Sequence, residues 1–453
     1  MLKDAWKLAV ETLRCIDMRH LSERLALGKV AEELGIEDPG IVGLAHKLVL
    51  ETMRRLNAID SILNIVLAPS SLGDFRLGVQ SFLRLYIYRV IFSGADFETA
   101  VAIANTGRWI LGWRQLSSVE EALGKVLSIK PTEILKGAND EELVALQTYN
   151  PSWFVKYCFK IMGRNDALDF LESTSEPMPT YLRLNTLQAS EEECLEELEK
   201  EGVILEKDPH LRYTYRVIRL QKPLPRTKSF REGLFFVQDK ASCLAAEVAA
   251  PKAGDTVLDV CAAPGAKTTY MAQLMRNQGQ IHSIDYSRRR INLWKREMNR
   301  MGVTNAVAIM ADAQKLLPMK LLVDLVVLDP PCTSTGAFGK TPVAKWRLTK
   351  GSVSSMARIQ WRMINACAEM IKKGGYLIYS TCSISLEENE ILIERFLKWQ
   401  QDFSLVETTP RIGLSGLRGQ SQCQRLYPHL HHCNGFFIAK LFRETSALDA
   451  MGL

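Results

Sequence analysis

The sequence predicts an α/β protein whose C-terminal part folds as a doubly wound, Rossmann-like sheet. From about residue 236, short apolar runs typical of buried strands alternate with amphipathic segments of helical period. Small or acidic residues follow several of these runs, at the strand ends where open α/β sheets bind ligands. The earlier residues lack this alternation, so we expect three domains: an all-α domain (1–145), a small α+β module (146–235) and the α/β domain (236–445).

The composition is that of an ordinary globular protein. The chain has 453 residues, of which 47% are hydrophobic and 24% are charged. No basic stretch leads into an apolar core near the N-terminus, and runs such as LLVDLVVL are too short to span a bilayer. We therefore expect a cytoplasmic protein without membrane contact. The net charge of +6, with its basic surplus after residue 150, is compatible with a polyanionic partner.

The first two domains are predicted from periodicity. DAWKLAVETLRCIDM, GIVGLAHKLVLETMRRLNAIDSILNIVL and FRLGVQSFLRLYIYRVIF repeat apolar residues every three or four positions, as helices do, and EDPG, APSSLGDF and SGAD separate them as turns. The α+β module is predicted from PTYLRLNTL, which alternates like a strand, from the amphipathic helix SEEECLEELEKEG, and from two short strands, VILEKD and YRVIRLQ.

The α/β domain is predicted to contain six strands and the helices between them. The strands are DTVLDV, QIHSID, AVAIM, VDLVVLD, YLIYSTC and GFFIAKLF. The helices are KTTYMAQLM, RRRINLWKREMNRMG, SMARIQWRMINACAEMIKKGG and EENEILIERFLKWQ. Repeated βα units imply a parallel sheet with ligands at the carboxyl ends of its strands.

The ends of successive strands predict a cofactor site. The turn LDVCAAPGAKT (258–268) has small residues and leads into a helix N-terminus, so a ligand can approach its backbone. It matches neither the dinucleotide pattern GxGxxG nor the phosphate-binding pattern GxxxxGK[ST]. Asp285 is placed to accept ribose hydroxyls and Asp312 to meet an adenine amino group, while Asp329 ends the next strand. These features favour an adenosine cofactor without pyrophosphate, namely S-adenosylmethionine.

The expected cofactor-binding residues follow from this edge, with Arg290 added because it can pair with an acid near the cofactor. They are Cys261, Ala262, Ala263, Pro264, Gly265, Ala266, Lys267, Asp285, Arg290, Asp312 and Asp329. No metal is expected, because the histidines of PHLHHC (428–433) fit no common zinc-ligand spacing.

Two of the ten cysteines occupy similar positions. Scattered cysteines without a CxxC pair favour reduced thiols, most of them buried. Cys332 in DPPCTSTG and Cys382 in YSTCSI each follow a predicted strand. Ser385 and Glu388 have the S-x-x-E spacing of a capping box, which predicts a helix N-terminus near Cys382 and a lowered thiol pKa. Spacing alone allows either thiol to react.

Three motifs, DVCAAPGAKT, LDPPCTSTG and YSTCSI, resemble in order and spacing those of the Sun/RsmB-type RNA (cytosine-5)-methyltransferases. NPSWFVKYCFKIMG, PTYLRLNTL, GLFFVQDKAS, KWRLT and RLYPHLHHCNGFFIAKL are similar to further segments of that family. The resemblance implies an S-adenosylmethionine-dependent methyltransferase domain, preceded by an RRM-like module and a NusB-like bundle that both bind RNA. Ribosomal RNA is the first expected partner, because bacterial 16S members carry this bundle, and transfer RNA is the second. A monomer is expected.

The resemblance also implies covalent catalysis. A thiolate that adds to carbon 6 of cytosine makes carbon 5 nucleophilic enough to take a methyl group. In this family the Thr-Cys thiol attacks and the Pro-Cys thiol assists product release, which assigns attack to Cys382 and release to Cys332. Asp329 is expected to hold the ring nitrogen or the amine of cytosine, and Lys267 to lie near the cofactor or the base.

The chain departs from the family pattern at two places. The family usually reads CAAPGGK, whereas this chain has Ala266, whose methyl group is compatible with a negative φ. Before KWR the family usually has a basic residue ahead of the proline, and this chain has Thr341 there. GRWILGWR (107–114) has two interpretations: its tryptophans stack on RNA, or they are buried beside surface arginines.

Two rival functions are considered. One is methyl transfer to an exocyclic amine, for which DPPC lacks the usual aromatic residue. The other is a non-catalytic RNA-binding assembly factor, against which both thiols and the cofactor motif count.

Overall fold

The computed structural model describes residues 2–135, 137–315 and 321–445, which form two compact units. The first unit contains the residues up to Glu176 together with Phe338–Arg347, and the second contains Pro177–Ala337 with the residues from Leu348 onward. The predicted fold class is confirmed: the first unit is helical, and the second contains a small sheet and a Rossmann-like sheet. The three-domain division, with boundaries after 145 and 235, stays a prediction beside this coarser one.

The first unit is helical, and its helices before residue 127 share one apolar core. In chain order they are α1 (Leu2–Arg19), α2 (Glu23–Leu34), α3 (Pro39–Arg54), α4 (Leu56–Leu67), α5 (Leu77–Ile87), α6 (Phe97–Leu111), α7 (Trp113–Leu116), α8 (Glu120–Val126), α9 (Asp140–Gln147), α10 (Ser152–Met162) and α11 (Arg164–Ser173). Asp96 caps α6 by accepting a hydrogen bond from Thr99 N at 2.8 Å. Trp6 and Phe82 lie in the core with ring centroids 6.0 Å apart.

The tryptophans of GRWILGWR lie on the surface of this unit. Gly107 is on the inner face of α6, where an added Cβ would meet the Phe82 ring at 2.4 Å. Trp109 and Trp113, by contrast, are 52% and 59% exposed. The interpretation of these residues as buried tryptophans is therefore wrong.

The small sheet of the second unit has four antiparallel strands in the order β2-β3-β1-β4. Its elements are β1 (Tyr181–Leu184), α12 (Glu191–Lys200), β2 (Val203–Lys207), β3 (Thr214–Leu220), α13 (Lys228–Arg231) and β4 (Phe235–Val237). Ser190 and Glu193 form a capping box at the start of α12, as their spacing indicates. The fourth strand, β4, was not among the predicted ones.

The large sheet contains all six predicted strands. Its part of the chain comprises α14 (Lys240–Ala249), β5 (Thr256–Val260), α15 (Ala266–Leu274), β6 (Gln280–Asp285), α16 (Arg288–Arg300), β7 (Ala306–Met310), β8 (Val323–Leu328), α17 (Pro342–Arg347, in the first unit), α18 (Lys350–Ala368), β9 (Ile371–Thr381), α19 (Glu390–Trp399), β10 (Phe403–Val406), β11 (Leu414–Ser415), β12 (Gln424–Leu426), α20 (Pro428–His431) and β13 (Phe436–Arg443). The strand order is β11-β12-β13-β9-β8-β5-β6-β7, with β10 beside β13.

The sheet is mixed, which corrects the expectation of a parallel sheet throughout. Strands β5 to β9 pair in parallel, as repeated βα units require. Strand β13 pairs antiparallel with β9, and β10 and β12 pair antiparallel with β13. The parallel part brings the ends of β5, β6, β7, β8 and β9 to one edge, where the predicted site residues lie.

The KWR segment belongs to the helical unit. Arg347 donates to the carbonyls of Ile16 and His20 near the end of α1, at 3.0 and 2.7 Å. Lys345 is fully buried and donates to the carbonyl of Tyr149 at 2.9 Å, and burial lowers its pKa to about 7. These side chains are therefore engaged in packing.

Among the helices of the described residues, none has the length and apolar character needed to cross a membrane.

Candidate active site at the carboxyl edge of the sheet

The turn after β5 exposes backbone at the edge of the sheet. Cys261 leaves the strand with φ 66, and Gly265 has φ 113 before α15 begins at Ala266. The φ of Gly265 is one that residues with a side chain rarely adopt, and a Cβ there would also displace Met298 Cε, 2.5 Å away on α16, so the turn favours glycine. Ala266 does not have a positive φ, and its methyl group is compatible with the turn.

Asp285, at the end of β6, is held by the same turn. Its Oδ2 accepts a hydrogen bond from Ala263 N at 3.3 Å, and its Oδ1 accepts one from Ser287 N at 3.1 Å. Arg290 Nε lies 3.0 Å from Asp285 Oδ2, and the same guanidinium donates to the Ala263 carbonyl. Arg290 therefore ties the predicted acid to the predicted turn.

A cavity of about 580 Å³ opens beside this turn, a volume suited to a small ligand. Of the predicted residues, Cys261, Asp285 and Asp312 line it. The sequence did not indicate the rest of its lining, which is Ile284, Tyr286, Met310, Ala311, Ala313, Gln314, Pro331, Ile359 and Met363. Apolar walls beside two carboxylates fit a group with a heterocycle and hydroxyls, such as adenosine. Ala262, Ala263, Pro264, Gly265, Ala266, Lys267, Arg290 and Asp329 are not in the described lining.

Lys267 and Asp329 form an ion pair between the cofactor turn and the end of β8. The lysine side chain is 8% exposed and the carboxylate is 33% exposed, so Asp329 is the member that a substrate can reach. Burial opposes the charge of Lys267, but the attraction of Asp329 outweighs it and raises the lysine pKa above its usual value. The pair therefore fixes the Asp329 carboxylate at the end of β8, where it remains partly exposed.

The two predicted thiols lie in contact. Cys332 Sγ and Cys382 Sγ are 3.3 Å apart, although 50 residues separate them in the chain. Ser334 Oγ lies 3.3 Å from Cys382 Sγ and 3.9 Å from Cys332 Sγ. Ser334 has φ 54, a left-handed conformation that is unfavourable for a residue with a side chain and is found most often at functional sites.

The two thiols differ in acidity. The hydrogen bond from Cys332 lowers the pKa of Cys382, with a further contribution from Ser334, and burial opposes the shift. The same hydrogen bond and burial raise the pKa of Cys332 well above its usual value. A thiolate at Cys382 beside a protonated Cys332 is the arrangement that these contacts favour.

Glu388 connects the loops that carry the two thiols. This fully buried carboxylate accepts hydrogen bonds from Thr333 N and from Gln360 Nε2, both at 2.9 Å. It also accepts from the hydroxyls of Thr333, Ser383 and Ser385. The residues after Cys332 and after Cys382 are thereby fixed to one carboxylate.

The predicted capping box is wrong. Helix α19 begins at Glu390, and its N-cap residue is Asn389, which makes no side-chain capping bond. Ser385 and Glu388 bond to each other through their side chains, at 2.7 Å, instead of to backbone N–H groups. The lowered pKa of Cys382 therefore comes from neighbouring S–H and O–H groups, which the S-x-x-E spacing does not reveal.

Further contacts fix the two loops. Gly336 N donates to the Cys382 carbonyl at 3.0 Å, and Gly435 N donates to the Gly336 carbonyl at 2.8 Å. A Cβ on Gly336 would lie 2.2 Å from Gly435 O, so this close approach requires glycine. Arg425 forms a buried ion pair with Glu390. The same guanidinium donates a hydrogen bond to the Ile384 carbonyl, at 2.9 Å.

The other cysteines are placed differently. Seven of the ten are buried, and the three partly exposed ones are Cys261, Cys332 and Cys382, all at this edge.

In PHLHHC, His431 Nδ1 accepts a hydrogen bond from Tyr427 N at 2.9 Å and so stabilises its own turn. Across the residues that the structure describes, no group of three or more His, Cys, Asp or Glu side chains could hold a metal.

The parallel part of the sheet, with a cavity at its carboxyl edge, places the second unit in the class of Rossmann-like methyltransferases. Family models agree: "16S rRNA methyltransferase RsmB/F" matches residues 246–442, and "Methyltr_RsmF/B-like, ferredoxin-like domain" matches residues 150–227. The two matches together cover more than half of the chain. The chain belongs to the RsmB/F methyltransferase family, whose members depend on S-adenosylmethionine.

Individual relatives extend the match over the whole chain. A probable ribosomal RNA small subunit methyltransferase B of Synechocystis sp. is 28% identical over 451 residues, which is 96% of this chain and 99% of the relative. A tRNA (cytosine(72)-C(5))-methyltransferase of Pyrococcus horikoshii is 38% identical over 218 residues, which is 48% of this chain and 54% of that relative.

Solved structures show the same fold. The crystal structure of PH0851 superposes with a TM-score of 0.86 and 27% identity, and covers 98% of this chain and 99% of that chain. NSun6 from Pyrococcus horikoshii, solved with SFG, an analogue of S-adenosylmethionine, has a TM-score of 0.61 and 27% identity over 65% of this chain and 99% of that chain.

Proposed function

We propose that this chain methylates carbon 5 of a cytosine in ribosomal RNA through a covalent bond between Cys382 and carbon 6. The observation that carries the proposal is the contact of Cys382 with Cys332, at 3.3 Å, at the sheet edge where the Lys267–Asp329 pair also lies. Methyl transfer to an exocyclic amine needs no thiol. Covalent attack on the ring followed by release requires a nucleophile and a proton-transfer group, and the two thiols supply both.

Cys382 is assigned the attack because its pKa is lowered. The Cys332 thiol and the Ser334 hydroxyl stabilise the Cys382 thiolate, which is the nucleophilic form. Once the sulfur has added to carbon 6, the ring is an enamine whose carbon 5 is nucleophilic. Bound S-adenosylmethionine supplies the electrophilic methyl group.

Cys332 is assigned to release. After methylation carbon 5 still carries a hydrogen, which must leave as a proton before the bond between Cys382 and carbon 6 breaks. Cys332 lies next to the sulfur that is expelled. Its own proton, which was bonded to the Cys382 thiolate, passes to water once that sulfur has bonded to carbon 6, and the resulting Cys332 thiolate, a strong base, takes the carbon 5 proton. Glu388 holds both loops, so the sulfurs keep this spacing while the base binds.

The remaining site residues are assigned to binding. Asp329, paired with Lys267 and partly exposed, accepts a hydrogen bond from the exocyclic amine of cytosine, or donates one to the ring nitrogen when it carries a proton, as negative charge develops there during the attack. Asp285 accepts the ribose hydroxyls of the cofactor, and Asp312 meets the adenine edge. The turn from Cys261 to Lys267 faces the rest of the cofactor, and Arg290 keeps Asp285 in place.

The extent of each match supports ribosomal RNA. The relative named for ribosomal RNA aligns with 96% of this chain, including the helical unit, whereas the relative named for tRNA aligns with 48%. Bisulfite sequencing of total RNA from cells with and without the gene tests the substrate. A cytosine protected from conversion is expected in 16S ribosomal RNA. Protection of a cytosine only in tRNA would show that tRNA, the second candidate, is the substrate.

Adduct trapping tests the division of labour between the thiols. Cys332→Ala is expected to accumulate a protein–RNA adduct that survives denaturation, because attack proceeds and release does not. Cys382→Ala and the double variant are expected to form none, and neither is Cys261→Ala, the control at the third partly exposed thiol. Accumulation in Cys382→Ala would exchange the two roles. Its absence from all variants, with methylation intact, would refute the covalent route.

A further inference from the structure

The two segments that carry Cys332 and Cys382 are fixed side by side. Gly336 N donates a hydrogen bond to the Cys382 carbonyl at 3.0 Å. Thr333 Oγ1 and Ser383 Oγ, from the residues that directly follow the two cysteines, are 3.2 Å apart, and both side chains are buried. These bonds hold the two sulfurs near each other without any change in the loops.

Two thiols at this distance can form a disulfide. The sulfurs of Cys332 and Cys382 are 3.3 Å apart. An S–S bond is about 2.05 Å long, so the sulfurs need to approach by little more than about 1 Å. Small side-chain rotations therefore bring them within bonding distance.

The pair can also be reached by a small oxidant. Cys332 and Cys382 are partly exposed, whereas seven of the other eight cysteines are buried. The pKa of Cys382 is lowered and that of Cys332 is raised, so the pair combines a thiolate with a protonated thiol. Redox-sensing pairs have this composition: the thiolate is oxidised first, and the neighbouring thiol then closes the disulfide.

We propose that hydroperoxides such as hydrogen peroxide oxidise Cys332 and Cys382 to a disulfide that reversibly switches the enzyme off. The Cys382 sulfur attacks one peroxide oxygen, so an S–O bond forms and the O–O bond breaks. The second oxygen leaves as hydroxide and takes a proton from solvent. The Cys332 sulfur then attacks the sulfenic sulfur of Cys382, and the hydroxyl group leaves as water with the Cys332 proton. Overall, the two thiols lose two electrons and one peroxide is reduced to two waters.

The disulfide removes both groups that the proposed reaction needs. No thiolate is left to attack carbon 6 of cytosine, and no thiol is left for release. This loss of activity rests on the proposed function, whereas the formation of the bond rests on the geometry of the two loops. A dithiol such as dithiothreitol should restore both groups by thiol–disulfide exchange.

Peptide mapping of the full-length protein tests the formation of the bond. Trypsin releases Cys332 in peptide 321–340 and Cys382 in peptide 374–395, and each peptide contains a single cysteine. After treatment with a small excess of hydrogen peroxide, the two peptides are expected as one linked species, lighter than their sum by two hydrogen atoms. Dithiothreitol should separate them. Links that join other cysteines instead, or sulfinic acid at Cys382 without a link, would refute the proposal.

Methylation of 16S ribosomal RNA is measured on the same samples. Activity is expected to fall by about tenfold or more as the linked species forms, because the nucleophilic thiolate is consumed, and to return with dithiothreitol. Cys15→Ser, which replaces a buried cysteine of α1, is the matched control and should keep both the activity and the peroxide sensitivity of the wild type. Full activity of the linked protein would overturn the switch, and so would a loss that dithiothreitol does not reverse.

Single variants test the order of the two steps. Dimedone labels sulfenic acids. Cys332→Ser lacks the thiol that closes the disulfide, so hydrogen peroxide should leave a sulfenic acid at Cys382, and dimedone should label peptide 374–395. Cys382→Ser should show much weaker labelling of Cys332, because a protonated thiol reacts slowly. The opposite labelling pattern would contradict the order given above.

The two readouts separate this inference from the proposed function. Linked peptides in a protein that does not methylate RNA even when reduced would support the disulfide and refute the proposed function. Methylation by the reduced protein, with no linked peptides after peroxide, would refute this inference alone.

Discussion

Replacing Glu388 by glutamine separates the positioning role of this residue from its charge. Glutamine has nearly the same shape, but one acceptor oxygen becomes an NH₂ donor. Five hydrogen bonds converge on the carboxylate, two from N–H groups and three from hydroxyls. If the amide oxygen keeps the bonds from Thr333 N and Gln360, the three hydroxyls face the new NH₂ group. They must then rotate so that their oxygens accept its hydrogen bonds.

The magnitude follows from the loss of charge in these bonds. A hydrogen bond to a charged group contributes about 1.5–3 kcal/mol, against about 0.5–1.5 kcal/mol for a neutral one. With partial reorientation of the hydroxyls, we expect Glu388→Gln to lower the free energy of unfolding by roughly 3 kcal/mol. With an unfolding entropy of about 2.1 cal/mol/K per residue, that corresponds to a fall in Tm of about 3–5 °C.

Catalysis should fall further than stability alone requires. The loops of Cys332 and Cys382 share this carboxylate, so loosening it changes the distance between the sulfurs. Displacement of a reacting group by about 1 Å can cost about 100-fold in rate, and we expect kcat to fall by 10- to 100-fold at a temperature where the variant is folded. KM for the cofactor should be unchanged, because Glu388 does not line the cofactor cavity.

The pH dependence distinguishes positioning from proton transfer. The hydrogen bond from Cys332 lowers the pKa of Cys382, whereas burial and the charges of Asp329 and Glu388 oppose this. Glu388→Gln removes one opposing charge, so the rising limb of kcat/KM should move to lower pH while kcat decreases. A limb that disappears would make Glu388 a proton acceptor and refute the reasoning, as would wild-type kcat. Glu387→Gln, the adjacent carboxylate, is the matched control.

Three further predictions concern the same unit. Gly265→Ala should weaken cofactor binding at least tenfold by calorimetry, because a Cβ at φ 113 would strain the turn and displace Met298 and Trp294 of α16; Gly254→Ala, with φ 96 and open space, controls for backbone strain alone. Ser334→Ala should raise the pKa of Cys382, so the rising limb of kcat/KM moves to higher pH and activity is lost first at low pH. Arg183→Met should lower the free energy of unfolding, measured in urea, by about 2–4 kcal/mol, because the buried guanidinium of Arg183 donates hydrogen bonds to three acceptors. Arg183→Lys should recover part of this loss of stability.

The strands and helices that carry the site could be predicted from the sequence, because apolar residues recur with different periods in the two kinds of element. Each apolar run of the α/β domain became a strand, and parallel pairing then placed Cys261, Asp285, Asp312 and Asp329 at one edge. The antiparallel pairing of β13 could not be predicted in this way, because a single buried strand has no directional pattern. Strands β11 and β12, with two and three residues, are too short to show a period.

The side-chain network was missed for a different reason. Ser385 and Glu388 have the spacing of a helix cap, and the same spacing also allows two side chains to bond to each other. Burial decides between these outcomes: a capping glutamate lies at an accessible helix start, whereas Glu388 is fully buried among donors from three chain segments. Those donors come from positions up to 55 residues away, so local spacing does not contain the information.

The division of labour between the thiols depends on what breaks the symmetry of the pair. A hydrogen bond between two sulfurs stabilises one thiolate and destabilises the other, but the bond alone does not determine which. Ser334 supplies the asymmetry, because its hydroxyl lies 3.3 Å from Cys382 Sγ and 3.9 Å from Cys332 Sγ. The left-handed φ of Ser334 is the strain that this placement requires. Two cysteines in similar sequence contexts thus acquire different acidities, and the proposed nucleophile is the thiol nearer to the Ser334 hydroxyl.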